Sequence, residues 1–287
     1  MNILLTNDDG IHAPGLKALC QSLPQGVRAM VVAPETERSA CGHSISLGQK
    51  LRVKEFVRQG IRHYAVNGTP ADCIKFALYE FKHFVPNLVV SGINQGANTG
   101  VSVYYSGTIS AAREGLINRI PSIAVSLCSR ESHDFGPSKA VLGLLIDGYV
   151  QGKFPRDILL NVNVPALAQE GIRGVKITKQ ASSRFIEEFI LKTQSDGQKI
   201  YTLAGKMELY NPDGTSDEEA VSQGFISVTS LKLDLTDYEG MAFFRKWMRS
   251  PKKGPALPDP AGTRPKKRLG KKTKSKKASK VFSKIRL

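Results

Sequence analysis

Residues 87–117 read NLVVSGINQGANTGVSVYYSGTISAAREGLI. Asn87–Ser91 is a short apolar run of the kind that forms a buried strand. Gly92 to Gly107 is a glycine-rich loop, and Thr108–Ile117 carries a helical pattern. Strand, loop and helix in that order are the repeating unit of parallel α/β sheets. The unit recurs on both sides of the stretch. Asn2–Thr6 is an apolar strand, Pro14-Gly15 opens a helix over about Leu16 to Leu23, and Arg28–Ala33 is a strand ended by Pro34. Leu51–Val57 and Ile61–Val66 flank Arg58-Gln59-Gly60 as a hairpin. Thr69 as N-cap, Pro70 at the first helical position and Asp72 in capping-box spacing start a helix that runs to about Lys82. Ser122–Leu127 reads as a strand, Pro137–Val150 as a helix and Asp157–Val164 as a strand. The predicted fold is α/β with a mostly parallel sheet.

The second half reads differently. Val175–Lys179, Phe185–Lys192, Gln198–Lys206 and Phe225–Leu235 look like strands, with turns such as Ser195-Asp196-Gly197 between them. They predict a C-terminal β-hairpin extension, followed by an amphipathic helix over Tyr238–Met248. The expected organisation is a core over residues 1–165, an extension over 166–249 and a basic tail over 250–287. The tail is rich in proline and then in lysine, and has little apolar surface to bury, so it is expected to be disordered when free.

Composition narrows the classes. With 41% hydrophobic and 23% charged residues, the chain of 287 residues can build a large core without disulfides. The net charge of +16 is concentrated at one end: residues 252–287 hold 14 Lys and Arg against the single acid Asp259. The basicity therefore describes the tail rather than the body. No apolar run is long enough to span a membrane. The N-terminus lacks the pattern of a signal peptide. Cys20, Cys41, Cys73 and Cys128 show no C-x-x-C spacing, which argues against a zinc or redox pair and fits a reducing, cytoplasmic setting.

Four constellations carry chemistry. Asn7-Asp8-Asp9-Gly10 ends the first strand. Adjacent acids repel in a desolvated cleft, and a divalent cation such as Mg²⁺ or Mn²⁺ relieves that cost. They read equally well as caps of the next turn. Ser91–Gly100 brings three glycines and two asparagines after a strand, without the dinucleotide or P-loop fingerprint. Tyr105-Ser106-Gly107-Thr108 opens a helix, where free amides and the helix dipole suit a phosphate, or where Ser106 is simply an N-cap. Glu37–Ser44 contains Ser39, which could be a ligand, a nucleophile or a turn residue; no G-x-S-x-G elbow surrounds it. His43 and Cys41 in the same stretch read more simply as structural. All four follow strands, so they share one rim of a parallel sheet. Together they point to a metal-assisted phosphoryl site.

Six ordered blocks, TNDDGI, APETERSACGHSIS, VNGTPADC, SGINQGANTG, YSGTISAAREG and LNVNVP, resemble the SurE survival-protein family over about Met1 to Asp237. The resemblance implies a Rossmann-like core, a swapped C-terminal arm, and homodimers or homotetramers. It implies one divalent ion, with Asp8, Asp9, Ser39 and Asn94 as ligands. Asp8 and Asp9 would be the catalytic pair, and Asn98, Ser106, Gly107 and Thr108 would line the phosphate pocket. The implied activity is hydrolysis of nucleoside 5′-monophosphates, with 3′-monophosphates as further substrates, by a metal-activated water. Ser230 stands where members of the family usually carry proline, and the lysine-rich tail lies outside the family pattern. Two other readings compete. Asp8 as a covalent nucleophile is disfavoured because acids of that phosphatase class are spaced D-x-D. A nucleic-acid-associated binding protein would use the tail for nonspecific contact, although no aromatic residue is interleaved over Lys266–Lys280 for stacking.

Overall fold

The computed structural model describes residues 1–194 and 198–249. In chain order the elements are β1 (Asn2–Thr6), α1 (Pro14–Gln21), β2 (Arg28–Pro34), β3 (Val53–Arg58), β4 (Ile61–Val66), α2 (Pro70–Glu80), β5 (Leu88–Gln95), α3 (Gly107–Ile117), β6 (Ser122–Leu127), α4 (Gly136–Val150), β7 (Leu159–Val164), β8 (Val175–Thr178), β9 (Ser183–Thr193), β10 (Lys199–Leu209), α5 (Asp217–Ser222), β11 (Ile226–Leu231) and α6 (Tyr238–Met248). The first compact unit spans Met1–Asp234, and a second begins at Leu235.

In the first unit, nine strands form one sheet in the order β3-β4-β2-β1-β5-β6-β7-β11-β8. The inner pairs β4/β2, β2/β1, β1/β5, β5/β6 and β6/β7 are all parallel. Alternation along the strands divides the core. Ile3, Leu5, Val31, Val90 and Val125 face α1 and α4, where they meet Leu16, Leu19, Leu142 and Ile146. Leu4, Met30, Val32 and Val89 face the other way, onto Ile74 and Ala77 of α2 and Ala111 of α3. The β5–α3–β6 and β6–α4–β7 crossovers step the same way along the sheet but cover opposite faces, so they have opposite hands. Successive strands diverge from β1, to β2 on one side and later to β5 on the other. This is the switch point where open α/β sheets leave a crevice.

Two expectations for the second half change. β8 and β11 do not form a hairpin extension of their own: β11 adds antiparallel to β7, and β8 adds parallel to β11, so both lengthen the main sheet. Ile226 and Val228 explain the choice, since they bury into the same core as Val162 and Val164. Only β9 and β10 stand apart, as a two-stranded antiparallel sheet with Lys199 opposite Thr193. α5 is a helix absent from the expected set, although Ser216 and Glu219 form a complete capping box at its start. The turn at Ser195-Asp196-Gly197 and the basic tail lie outside the described residues.

In the second unit, α6 is capped by Asp237, whose side chain accepts from the Gly240 amide, and it presents Phe243, Phe244 and Trp247 as exposed aromatics. No helix among the described residues is long and apolar enough to cross a membrane.

Candidate active site

The crevice at the switch point is a cleft of about 440 Å³. Asp8, Asp9, Ser39, Asn94, Asn98 and Ser106 all line it, so three segments that are distant in sequence, following β1, β2 and β5, meet there. The parallel ladder explains the meeting, because β1, β2, β5 and β6 all end at the same rim. Backbone bonds tie the rim together: the Arg38 amide donates to Asp8 O at 2.7 Å, and the Ile11 amide to Pro34 O at 2.8 Å.

Asp8 sits deepest, at 4% exposure. Thr108 donates its hydroxyl to Asp8 Oδ1. α3 starts hard against it: a Cβ on Gly107 would lie 2.7 Å from Asp8 Cβ, so only glycine lets the helix N-terminus come this close. Ser106 is the N-cap, its Oγ accepting from the Ile109 amide at 3.1 Å. Gly107 and Thr108 are thus placed behind Asp8, while Ser106 faces the cleft. Burial pushes the Asp8 carboxyl up, and the Thr108 hydroxyl and amide oppose it only in part. Burial and the Asp8 charge push Asp9 up to about 7.

The neutral donors are oriented. Ser39 donates its hydroxyl to Glu37 Oε1 at 2.6 Å, which leaves the oxygen lone pairs free. Asn94 donates Nδ2 to Gly96 O at 2.7 Å, which leaves its carbonyl oxygen as the remaining acceptor. Among the described residues no three His, Cys, Asp or Glu side chains group as a metal site. Two carboxylates with two neutral oxygens form a hard donor set, which suits Mg²⁺ or Mn²⁺ rather than zinc. The crowding that raises Asp8 and Asp9 is the cost a cation would remove, so these residues fit a divalent ion.

Asn98 is held from below. Its amide donates to Asn163 Oδ1 and its Nδ2 to Ser126 Oγ, both at 2.8 Å, while Asn161 Nδ2 donates to Asn98 O at 2.8 Å. Asn161 and Asn163 lie in a predicted strand and in the LNVNVP block, and neither carries a site role from the sequence. Their i, i+2 spacing in an apolar run was the available signal, since it puts both amides on one face of β7. Asp217 of α5 reaches the same loop, accepting from the amides of Gly100 and Ala181 at 3.1 and 2.9 Å. The Cys41–Ser46 loop is anchored by buried Glu114, which accepts from Lys75 Nζ at 2.8 Å and pairs with His43 Nε2 at 3.0 Å. Burial raises Glu114, but its bonds to His43 and Lys75 outweigh that and hold it below the usual carboxylate range. His43 is thus tied to Glu114 and is not among the residues lining the cleft. Glu37, Tyr105 and Arg130 are among the further lining residues, and the motifs give none of them a part. No local pattern marks Arg130, which comes to the rim only through the pairing of β6 beside β5.

The family described as Survival protein SurE matches residues 3–187. A protein of Heliobacterium modesticaldum named 5′-nucleotidase SurE is 44% identical over 250 residues, covering 86% of this chain and 92% of its own. One of the same name from Moorella thermoacetica is 45% identical over 240 residues, covering 83% and 92%. The crystal structure of the SurE protein from Aquifex aeolicus superposes with a TM-score of 0.75 at 36% identity, covering 86% of this chain and all of its own.

Proposed function

The chain belongs to the Survival protein SurE family, and from that membership and the cleft's donor set we propose that it is a metal-dependent 5′-nucleotidase acting also on 3′-monophosphates. The observation that carries the reading is the convergence of Asp8, Asp9, Ser39 and Asn94 beside the N-terminus of α3. Water is added across the P–O ester bond, which releases nucleoside and phosphate. Asp8, Asp9, Ser39 and Asn94 hold one divalent ion, Mg²⁺ or Mn²⁺. When bound, that ion withdraws charge from the phosphate and makes water a competent nucleophile near neutral pH.

The chain's own groups do the rest. Thr108 and the close approach at Gly107 fix the Asp8 carboxylate. Glu37 orients the Ser39 hydroxyl. The α3 N-terminus and Asn98 take the negative phosphate oxygens, where aligned amides favour an anion. Tyr105, the one aromatic residue among the described lining residues, offers a face to the nucleoside base.

The active form is a homodimer or homotetramer. Phe189, Leu203 and Tyr201 on the free-standing hairpin are 62%, 57% and 56% exposed, and a two-stranded hairpin of this kind is stabilised by a partner surface. The four free cysteines suit a reducing cytoplasm. The test is phosphate release from a panel of nucleoside 5′- and 3′-monophosphates with Mg²⁺, with Mn²⁺ and with EDTA. Release that needs the metal supports the reading. No release from any nucleotide, or undiminished release in EDTA, ends it.

A further inference from the structure

Among the described residues lining the cleft, Arg130 is the one cation, set against three carboxylates, Asp8, Asp9 and Glu37. It sits in the β6–α4 connection, on a backbone that is held in place. Glu131 and Ser132 donate their amides to Ser129 Oγ at 3.1 and 3.0 Å. Gln95, at the end of β5, donates Nε2 to Ser132 O at 2.9 Å. The Gly96 amide donates to Leu127 O at 2.8 Å, joining the two rims.

The Arg130 side chain lies over Gly96. Its Nε and Cγ are 3.7 and 3.8 Å from where a Cβ on Gly96 would stand. Gly96 O is also the acceptor for Asn94 Nδ2, so the arginine stem runs beside a residue of the proposed ion site. Unlike Arg184, which pairs with Glu208, Arg130 makes no hydrogen bond or ion pair with any described residue. Arg130 is an exposed residue of the cleft lining, so the five N–H donors of its planar fork are left without a described partner.

A nucleoside monophosphate brings about two negative charges to a pocket already lined by acids. One divalent ion balances Asp8 and Asp9 but leaves the incoming phosphate and Glu37 uncompensated. A guanidinium matches two phosphate oxygens at once, with specificity that a lysine lacks. We propose that Arg130 is a substrate-binding residue that grips the phosphate group of the substrate at the cleft mouth and so selects phosphate monoesters. The proposal rests on the nucleotidase reading for its substrate, but phosphate capture can be measured without turnover.

The experiment uses the full chain with Mg²⁺ and inorganic phosphate as the probe. Calorimetry gives phosphate affinity for wild type, Arg130→Ala and Arg130→Lys, and steady-state assays with AMP give kcat and KM for each. Arg130→Ala should weaken phosphate about tenfold or more and raise KM for AMP by a similar factor, with kcat changed less. Arg130→Lys should fall between, because it keeps the charge and loses the fork. Inhibition by adenosine, which has no phosphate, should not change. Unaltered phosphate affinity in Arg130→Ala overturns the proposal, including the case where only the pH profile moves, which would mean that Arg130 merely offsets the charge of Asp9. Weaker adenosine inhibition with unaltered phosphate affinity overturns it in favour of base recognition. If wild type releases no phosphate from AMP, the nucleotidase reading fails, while the calorimetric comparison still decides the role of Arg130.

Discussion

Replacing Asp9 by asparagine should stabilise the metal-free protein, by an amount that grows with pH. The Asp9 carboxyl titrates at about 7 in the fold against an ordinary value of 3.8, first because it is buried and then because Asp8 lies beside it. The sign follows from the direction of the shift. A folded value raised above the unfolded one supports the fold while the group is protonated in both states, and that support is withdrawn as pH climbs through the folded value. Between about pH 5 and about pH 8 the loss comes to about 3 kcal/mol at about 1.4 kcal/mol per unit. Asparagine keeps the shape and carries no charge, so Asp9→Asn escapes that loss. Urea unfolding in EDTA at several pH values, for both proteins, measures the loss for the Asp8–Asp9 pair, and titrating groups not coupled to Asp9 are common to both and drop out of the difference. The gap in favour of Asp9→Asn should widen by about 3 kcal/mol over that range. Added Mg²⁺ or Mn²⁺ should narrow it by stabilising wild type alone. Asp9→Asn should be inactive throughout. A gap that stays constant with pH, or wild type more stable than Asp9→Asn at about pH 8 in EDTA, would refute the view that Asp9 is held as a strained carboxylate awaiting a cation.

The other expectations concern the supports of the site and the tail. Gly107→Val inserts a side chain where a Cβ already lies 2.7 Å from Asp8 Cβ. It should cost about 1–3 kcal/mol by denaturant unfolding and abolish phosphate release. Glu114→Ala leaves His43 and Lys75 without their buried partner; because Lys75 is half-exposed, the loss should be about 2 kcal/mol at neutral pH. Since the Glu114 carboxyl is held low, that contribution is lost as pH falls through its folded value, and wild type and variant should converge in acid. Deleting residues 252–287 removes 14 basic side chains; nitrocellulose retention of RNA at low salt should collapse while kcat/KM for AMP holds.

The parts of the fold that local chemistry dictates could be read directly. Ser122–Leu127 and Tyr238–Met248 match the expected bounds, and the Thr69/Asp72 capping box is present in both directions. Apolar runs and caps act within a few residues, so the sequence alone exposes them. Long-range partners are not exposed in that way. β11 could have closed a local hairpin, but it pairs with Leu159–Asn163 because Ile226 and Val228 find the core there. Gly92–Gly107 read as one loop; β5 instead continues to Gln95 after a register shift, and Gly100–Tyr104 forms a 3₁₀ turn. The rim logic brought six of the candidate residues to one cleft, because parallel strands must end on the same side. Arg130 and the Asn161/Asn163 support escaped notice, since each is defined by a neighbour more than thirty residues away.

On this reading the paired aspartates at the end of β1 hold a divalent ion against a phosphate at the α3 N-terminus. Anomalous diffraction from crystals soaked with Mn²⁺ and inorganic phosphate tests it most directly. A manganese peak is expected between Asp8 and Asp9 with Ser39 and Asn94 in its shell, and a phosphate beside Ser106. Strong manganese peaks elsewhere with none in this cleft would contradict it.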